Sequence, residues 1–115
     1  MQQIQVTATF PRIPRDNLSE FKRLAREALE ITAAEPGVLQ YDWFFNEDES
    51  KCVVRETYAD SDAVLTHLGF VGDLLGKIIE VGGGIEIEVF GEPSDTLIKA
   101  AEALQPRIYS YFQGK

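Results

Sequence analysis

Val38-Leu39-Gln40-Tyr41-Asp42-Trp43-Phe44-Phe45-Asn46, the polar turn Glu47-Asp48-Glu49-Ser50, and Lys51-Cys52-Val53-Val54-Arg55-Glu56-Thr57-Tyr58 decide the fold. Both long runs are rich in aromatic and β-branched residues, which fit a pleated surface, and four polar residues between them suit a hairpin. Alternation puts Leu39, Tyr41, Trp43 and Phe45 on one face and Val38, Gln40, Asp42 and Phe44 on the other. Large apolar groups on both faces call for cover on both sides.

Upstream, Ile4, Val6, Ala8 and Phe10 are apolar at every second position, a strand period ended by Pro11 and Pro14. Asp16 or Asn17 is placed to cap a helix, with Glu20 three residues after Asn17 as a capping-box partner. Leu18, Phe21, Ala25, Ala28, Leu29 and Thr32 form its apolar stripe, and Glu35-Pro36-Gly37 stops it. Downstream, Asp60 caps a helix over Ser61 to Leu68, which Gly69 is expected to interrupt before Phe70, Val71, Leu74, Leu75, Ile78 and Ile79 resume the helical period. After Gly82-Gly83-Gly84, Ile85, Ile87 and Val89 alternate with Glu86 and Glu88 as a fourth strand. The predicted order is β-α-β-β-α-β, an α+β ferredoxin-like antiparallel sheet with helices on one face. The other face is left for a second copy of the chain, giving a homodimer through the sheet faces. Beyond that core (1–92), residues 93–115 add an extension: a short helix capped by Ser94, and a strand over Ile108 to Phe112 expected to join a sheet edge, either its own or the one across the dimer.

The whole chain, 1–115, is one domain by size. A net charge of −8 and the lack of a Lys/Arg cluster argue against nucleic acid and anionic membranes as partners. No apolar run has membrane-spanning length, and Met1 to Phe10 lacks the continuous apolar stretch of a secretory leader. One cysteine, Cys52, permits no intrachain disulfide, so a cytoplasmic location is expected. Zinc-protease, P-loop and dinucleotide-binding signatures are absent, no metal site is expected, and the glycine triplet precedes a strand rather than a helix.

Three stretches, taken together, resemble the antibiotic biosynthesis monooxygenase family. Glu35-Pro36-Gly37-Val38-Leu39-Gln40-Tyr41-Asp42-Trp43-Phe44 is similar to its Glu-Pro-Gly strand start, followed at fixed spacing by Tyr, an acid and an aromatic. Arg55-Glu56-Thr57-Tyr58-Ala59-Asp60-Ser61 resembles its strand-to-helix junction, and Asp62-Ala63 with His67-Leu68 resembles the helix that follows. The resemblance implies a dimeric α/β barrel of ferredoxin-like subunits. It also implies, for some members, a cofactor-independent monooxygenase acting with O2 on a phenol or hydroquinone. Haem-degrading members use an Asn on the first strand and a Trp and His in later helices. Here the first strand has no Asn and the only tryptophan, Trp43, lies on the second strand, so haem is not expected and no cofactor is assigned.

His67, the only histidine, is the candidate general base, with Tyr58 beside it at the strand end. The same histidine would serve equally as a helix residue bonded to a backbone carbonyl. Tyr58, Trp43 and Tyr41 are candidates to stack on a small aromatic substrate, or else to fill a core or dimer interface. Glu56 is a candidate to hold His67 or a substrate hydroxyl, and Arg55 to steady an oxyanion, although an ion pair at the dimer interface suits both. Phe70, after Gly69, is a candidate gate. Two further functions stay open: a non-catalytic dimeric binding or scaffold protein, and a dimeric-barrel isomerase or lyase using one base.

Overall fold

The computed structural model describes residues 2–115. Strand β1 (Ile4–Phe10) lies at the centre of a five-stranded sheet because both its edges are paired, and its strict alternation buries Ile4, Val6, Ala8 and Phe10 on one face. After it come α1 (Leu18–Thr32), β2 (Val38–Phe45), β3 (Cys52–Tyr58), α2 (Ser61–Val81), β4 (Glu86–Phe90), α3 (Asp95–Ala101) and β5 (Arg107–Tyr109). The spatial order is β2-β3-β1-β4-β5. β1 pairs antiparallel with β3, from Ile4 opposite Tyr58 to Phe10 opposite Cys52, and antiparallel with β4. The α+β, ferredoxin-like expectation holds, with β5 added parallel to β4 at the edge of the chain's own sheet.

Two clusters fill the space between sheet and helices. Phe10, Phe21, Leu24, Ala28, Val54 and Ile78 form one, with Trp43 and Phe45 packed against it. Phe21 meets Phe10 edge-on at 4.9 Å between ring centroids, and Trp43 stacks on Phe10 at 6.1 Å. Ile4, Val6, Tyr58, Val64, Val89 and Leu97 form the other, at the end of the sheet that carries the candidate site.

Several local expectations are corrected. Gly69 does not interrupt α2, which runs unbroken through it. A side chain added at Gly69 would meet nothing within 4 Å, so this glycine sits on an open helix surface, where it costs about 1 kcal/mol relative to alanine without breaking the helix. A bulge between Val38 and Gln40 takes Leu39 out of the Tyr41–Trp43–Phe45 face and leaves it exposed, while Val38 packs into the second cluster. Trp43 therefore faces the helices of its own chain. The opposite sheet face is mixed rather than apolar: Gln5, Thr7, Gln40, Arg55 and Thr57 surround Phe44, Val53 and Phe90.

In α1 the buried stripe includes Leu24, whereas Leu29 is exposed. Asn17 does not cap α1 through its side chain. Its amide donates to the Val81 carbonyl at 3.0 Å, tying the start of α1 to the end of α2, and Glu20 pairs with Arg23 instead of closing a capping box. Asp60 and Ser94 do cap, accepting from the amides of Ala63 and Leu97. The terminal strand is Arg107–Tyr109, earlier and shorter than Ile108–Phe112. Gly83, at φ +79, makes the turn into β4, and a β-carbon there would lie 2.7 Å from the Arg12 carbonyl oxygen.

Candidate active site

His67 sits on the inward face of α2, two turns from the Asp60 cap, and is only 4% exposed. Its Nδ1 lies 3.1 Å from Oε2 of Glu35, which is itself buried in the connection between α1 and β2. Burial pushes the imidazole below its usual pKa, and the Glu35 carboxylate opposes that push. His67 is thus neutral at pH 7, with Nδ1–H donating to Glu35 and Nε2 left as the basic nitrogen. Among the described residues no side chain bonds Nε2.

Two tyrosines flank the ring. Tyr41 on β2 lies edge-on at 5.0 Å between centroids and Tyr58 at the end of β3 at 5.5 Å. Burial pushes both phenols well above the ordinary tyrosine range, so both stay protonated donors. The Tyr58 hydroxyl donates to Oε1 of Glu56, two residues back on the same face of β3. Burial raises the Glu56 carboxyl to about 7, partly offset by that hydrogen bond. Near neutral pH, Glu56 thus retains much of its protonated form, a donor with its second oxygen to spare.

His67, Tyr41, Tyr58 and Glu56 all line one cavity of about 80 Å³ between sheet and α2. Its other walls are aliphatic, supplied by β1, β4, α2 and the C-terminal extension, and include Val6, Val71, Leu75, Ile87, Leu97 and Leu104.

The cavity does not bring in every residue singled out from the sequence. Trp43 packs on Phe10 and Phe21, one layer behind Tyr41, and does not line it. Arg55 points to the opposite sheet face, as its alternation with Glu56 dictates. Phe70 is 64% exposed on the outer side of α2 and gates nothing. His67 is held by Glu35 rather than by Glu56. The sequence displayed Glu35 as part of a helix stop and of the Glu-Pro-Gly strand start, without a role at His67; the clue to more was a carboxylate ahead of a proline that fixes its place beside the second strand. Cys52 is fully buried, and burial pushes its thiol up to about 12, which makes it an inert core residue. Among the described residues, no three His, Cys, Asp or Glu side chains are grouped to hold a metal, and no helix is long and apolar enough to cross a membrane.

The profile of the antibiotic biosynthesis monooxygenase family matches residues 4–69. No functionally curated protein matches in sequence. Among solved structures, MupZ from Pseudomonas fluorescens is similar over 100% of this chain and 94% of its own, at 26% identity and a TM-score of 0.82. Rv0793 from Mycobacterium tuberculosis is similar over 81% of this chain and 97% of its own, at 22% identity and a TM-score of 0.70. SnoaB, a cofactor-independent oxygenase from Streptomyces nogalater, shares the fold over 82% of this chain and 96% of its own, at 16% identity and a TM-score of 0.63.

Proposed function

The chain belongs to the antibiotic biosynthesis monooxygenase family, and from that membership we propose that it is a cofactor-independent monooxygenase that oxidises a small phenol or hydroquinone with O2. The observation that carries the reading is the meeting, in one apolar cavity, of a neutral buried base (His67 on Glu35) with a buried acid (Glu56 on Tyr58). SnoaB adds an analogy of fold: an oxygenase without a cofactor is chemistry this architecture can host.

His67 Nε2 takes the proton of the substrate hydroxyl, and the Glu35 carboxylate steadies the imidazolium that forms. Protonated Glu56, its other oxygen engaged by Tyr58, donates a hydrogen bond to the substrate oxyanion; a carboxylic acid kept neutral by an apolar site is suited to that task. The phenolate is electron-rich enough to pass one electron to O2, and the resulting radical pair joins as a carbon–peroxide bond. His67 returns its proton to the peroxide. Loss of the C–H proton and cleavage of the O–O bond expel water and leave a quinone, so one phenol and one O2 become one quinone and one water. Water exclusion by the aliphatic walls strengthens both hydrogen bonds.

The test is oxygen uptake with a panel of phenols and hydroquinones, comparing wild type with His67→Ala. The reading expects uptake by wild type and a loss of about 10²-fold or more in the variant, the usual scale of a general base. No uptake with any member of the panel, or equal rates in the two proteins, overturns it. The same base and acid would also serve proton transfer without O2, the isomerase or lyase reading, which turnover in the absence of oxygen would favour. We assign homodimerisation, common in this family, to the sheet face that carries Phe44, Val53, Phe90 and Arg55. Phe44→Glu, placing a charge in that face, is expected to give a monomer by light scattering.

A further inference from the structure

We infer that the C-terminal extension, residues 93–109, is the wall that selects the ligand, and that the ligand is amphipathic: a phenolic head carrying an unbranched apolar chain. The inference deepens the oxygenase reading and rests on it for the head alone. The four polar side chains of the cavity cluster together at His67, whereas every other lining residue is apolar. Along α2, His67, Val71 and Leu75 line the cavity in succession. At 1.5 Å per residue these positions carry the lining about 12 Å along the helix from its polar end, so the cavity is a run rather than a rounded pit. A compact hydroquinone, with a second hydroxyl opposite the first, would bury that hydroxyl with no partner at the far end.

The far side of this run is built by the extension. Leu97 is buried in the second core cluster, and Ala101, Leu104 and Ile108 line the cavity with it. Besides the buried Leu97, few contacts hold the extension in place. It is fixed by the Ser94 amide on the Ser61 hydroxyl (2.9 Å), by the Gly91 amide on the Tyr109 carbonyl (3.0 Å), by a three-residue strand, and by Phe90 stacked on Tyr109 at 5.2 Å. The space of about 80 Å³ is roughly half the cavity of about 150 Å³ known to admit benzene. A chain-bearing phenol must therefore press this wall outward, and the side chains on its inner surface decide how far.

The probes are phenol and 4-alkylphenols from ethyl to octyl, titrated calorimetrically into the full chain, the readout being the ratio of each affinity to that of phenol. Burial of each methylene is worth about fourfold, so the ratio for 4-butylphenol is expected on the order of a hundredfold in wild type. Ala101→Phe, which fills the run, is expected to bring that ratio below about tenfold. Leu104→Ala, which only removes atoms, is expected to move the best-bound chain to greater length, and it decides the matter if Ala101→Phe does not fold. A ratio that does not grow with chain length in wild type, or a profile unchanged in Leu104→Ala, overturns the inference. Because binding is read without turnover, a length-dependent profile with no oxygen uptake upholds the wall and dismisses the oxygenase, and uptake with no length dependence does the reverse.

Discussion

Replacing Glu56 with glutamine is expected to stabilise the protein at pH 8 and to leave it nearly unchanged at pH 4.5. The Glu56 carboxyl is raised from 4.5 to about 7 in the folded protein, chiefly by burial. Between those two values the folded chain keeps a proton that the unfolded chain releases. Stability therefore falls as pH rises through this window, and the loss is complete above pH 7. The shift corresponds to about 3 kcal/mol at most, because part of the residue is open to solvent. The glutamine side chain would still accept the Tyr58 hydroxyl hydrogen bond but has no proton to lose. The stability difference between the two proteins is thus expected to grow from near zero at pH 4.5 to a plateau of at most about 3 kcal/mol by pH 8, which caps the gain in Tm at about 10 °C for a chain of this size. His67, depressed rather than raised, destabilises the folded state as pH falls below its unfolded value, but it is present in both proteins and cancels in the difference. The assay is urea unfolding at one protein concentration across pH 4.5 to 8. A difference that does not vary with pH, or one that favours wild type at pH 8, would refute the account of Glu56 as a buried acid.

Three more outcomes follow from the same structure. With a single histidine in the chain, the imidazole titration can be read by proton NMR without assignment; Glu35→Gln removes the one influence that raises the His67 pKa and leaves burial, so the midpoint is expected to move lower still, and an unchanged or higher midpoint contradicts the pair. Phe21→Ala empties a site of zero exposure packed edge-on against Phe10 and Trp43, at an expected cost of about 3–5 kcal/mol in denaturant unfolding; a loss below about 1 kcal/mol would mean the cluster is not the core. Gly37→Ala would place a β-carbon 2.7 Å from that of Ala63, so it is expected to cost about 1–3 kcal/mol, with part recovered in the double variant with Ala63→Gly; additive effects would show that the two backbones do not meet as described.

Strand and helix order was legible because it rests on local periodicity: Ile4 to Phe10 at period two and Phe21, Ala25, Ala28 and Thr32 at helical spacing state which face is buried before any partner is known. The candidate site was half legible. His67, Tyr41, Tyr58 and Glu56 were marked as residues able to do chemistry, and alternation put Glu56 and Tyr58 on one face of their strand, while the register that sets Tyr41 opposite Glu56 belongs to the structure. Trp43 shares that face, but depth from the surface is not written in alternation, and Phe10 and Phe21 fill the space before it.

What the sequence could not state is which groups from distant segments become neighbours inside a low-dielectric interior. Glu35 and His67 stand 32 residues apart and meet only because α1 and α2 pack side by side on one sheet, and the bulge at Leu39 depends on pairing with β3. The extension reads as an afterthought along the chain, yet its packing on β4 and α2 closes the cavity. Periodicity along a chain records whether a residue turns inward; whom it meets there is fixed by how the elements stack, and the proton affinities of Glu56 and His67 follow from that meeting alone.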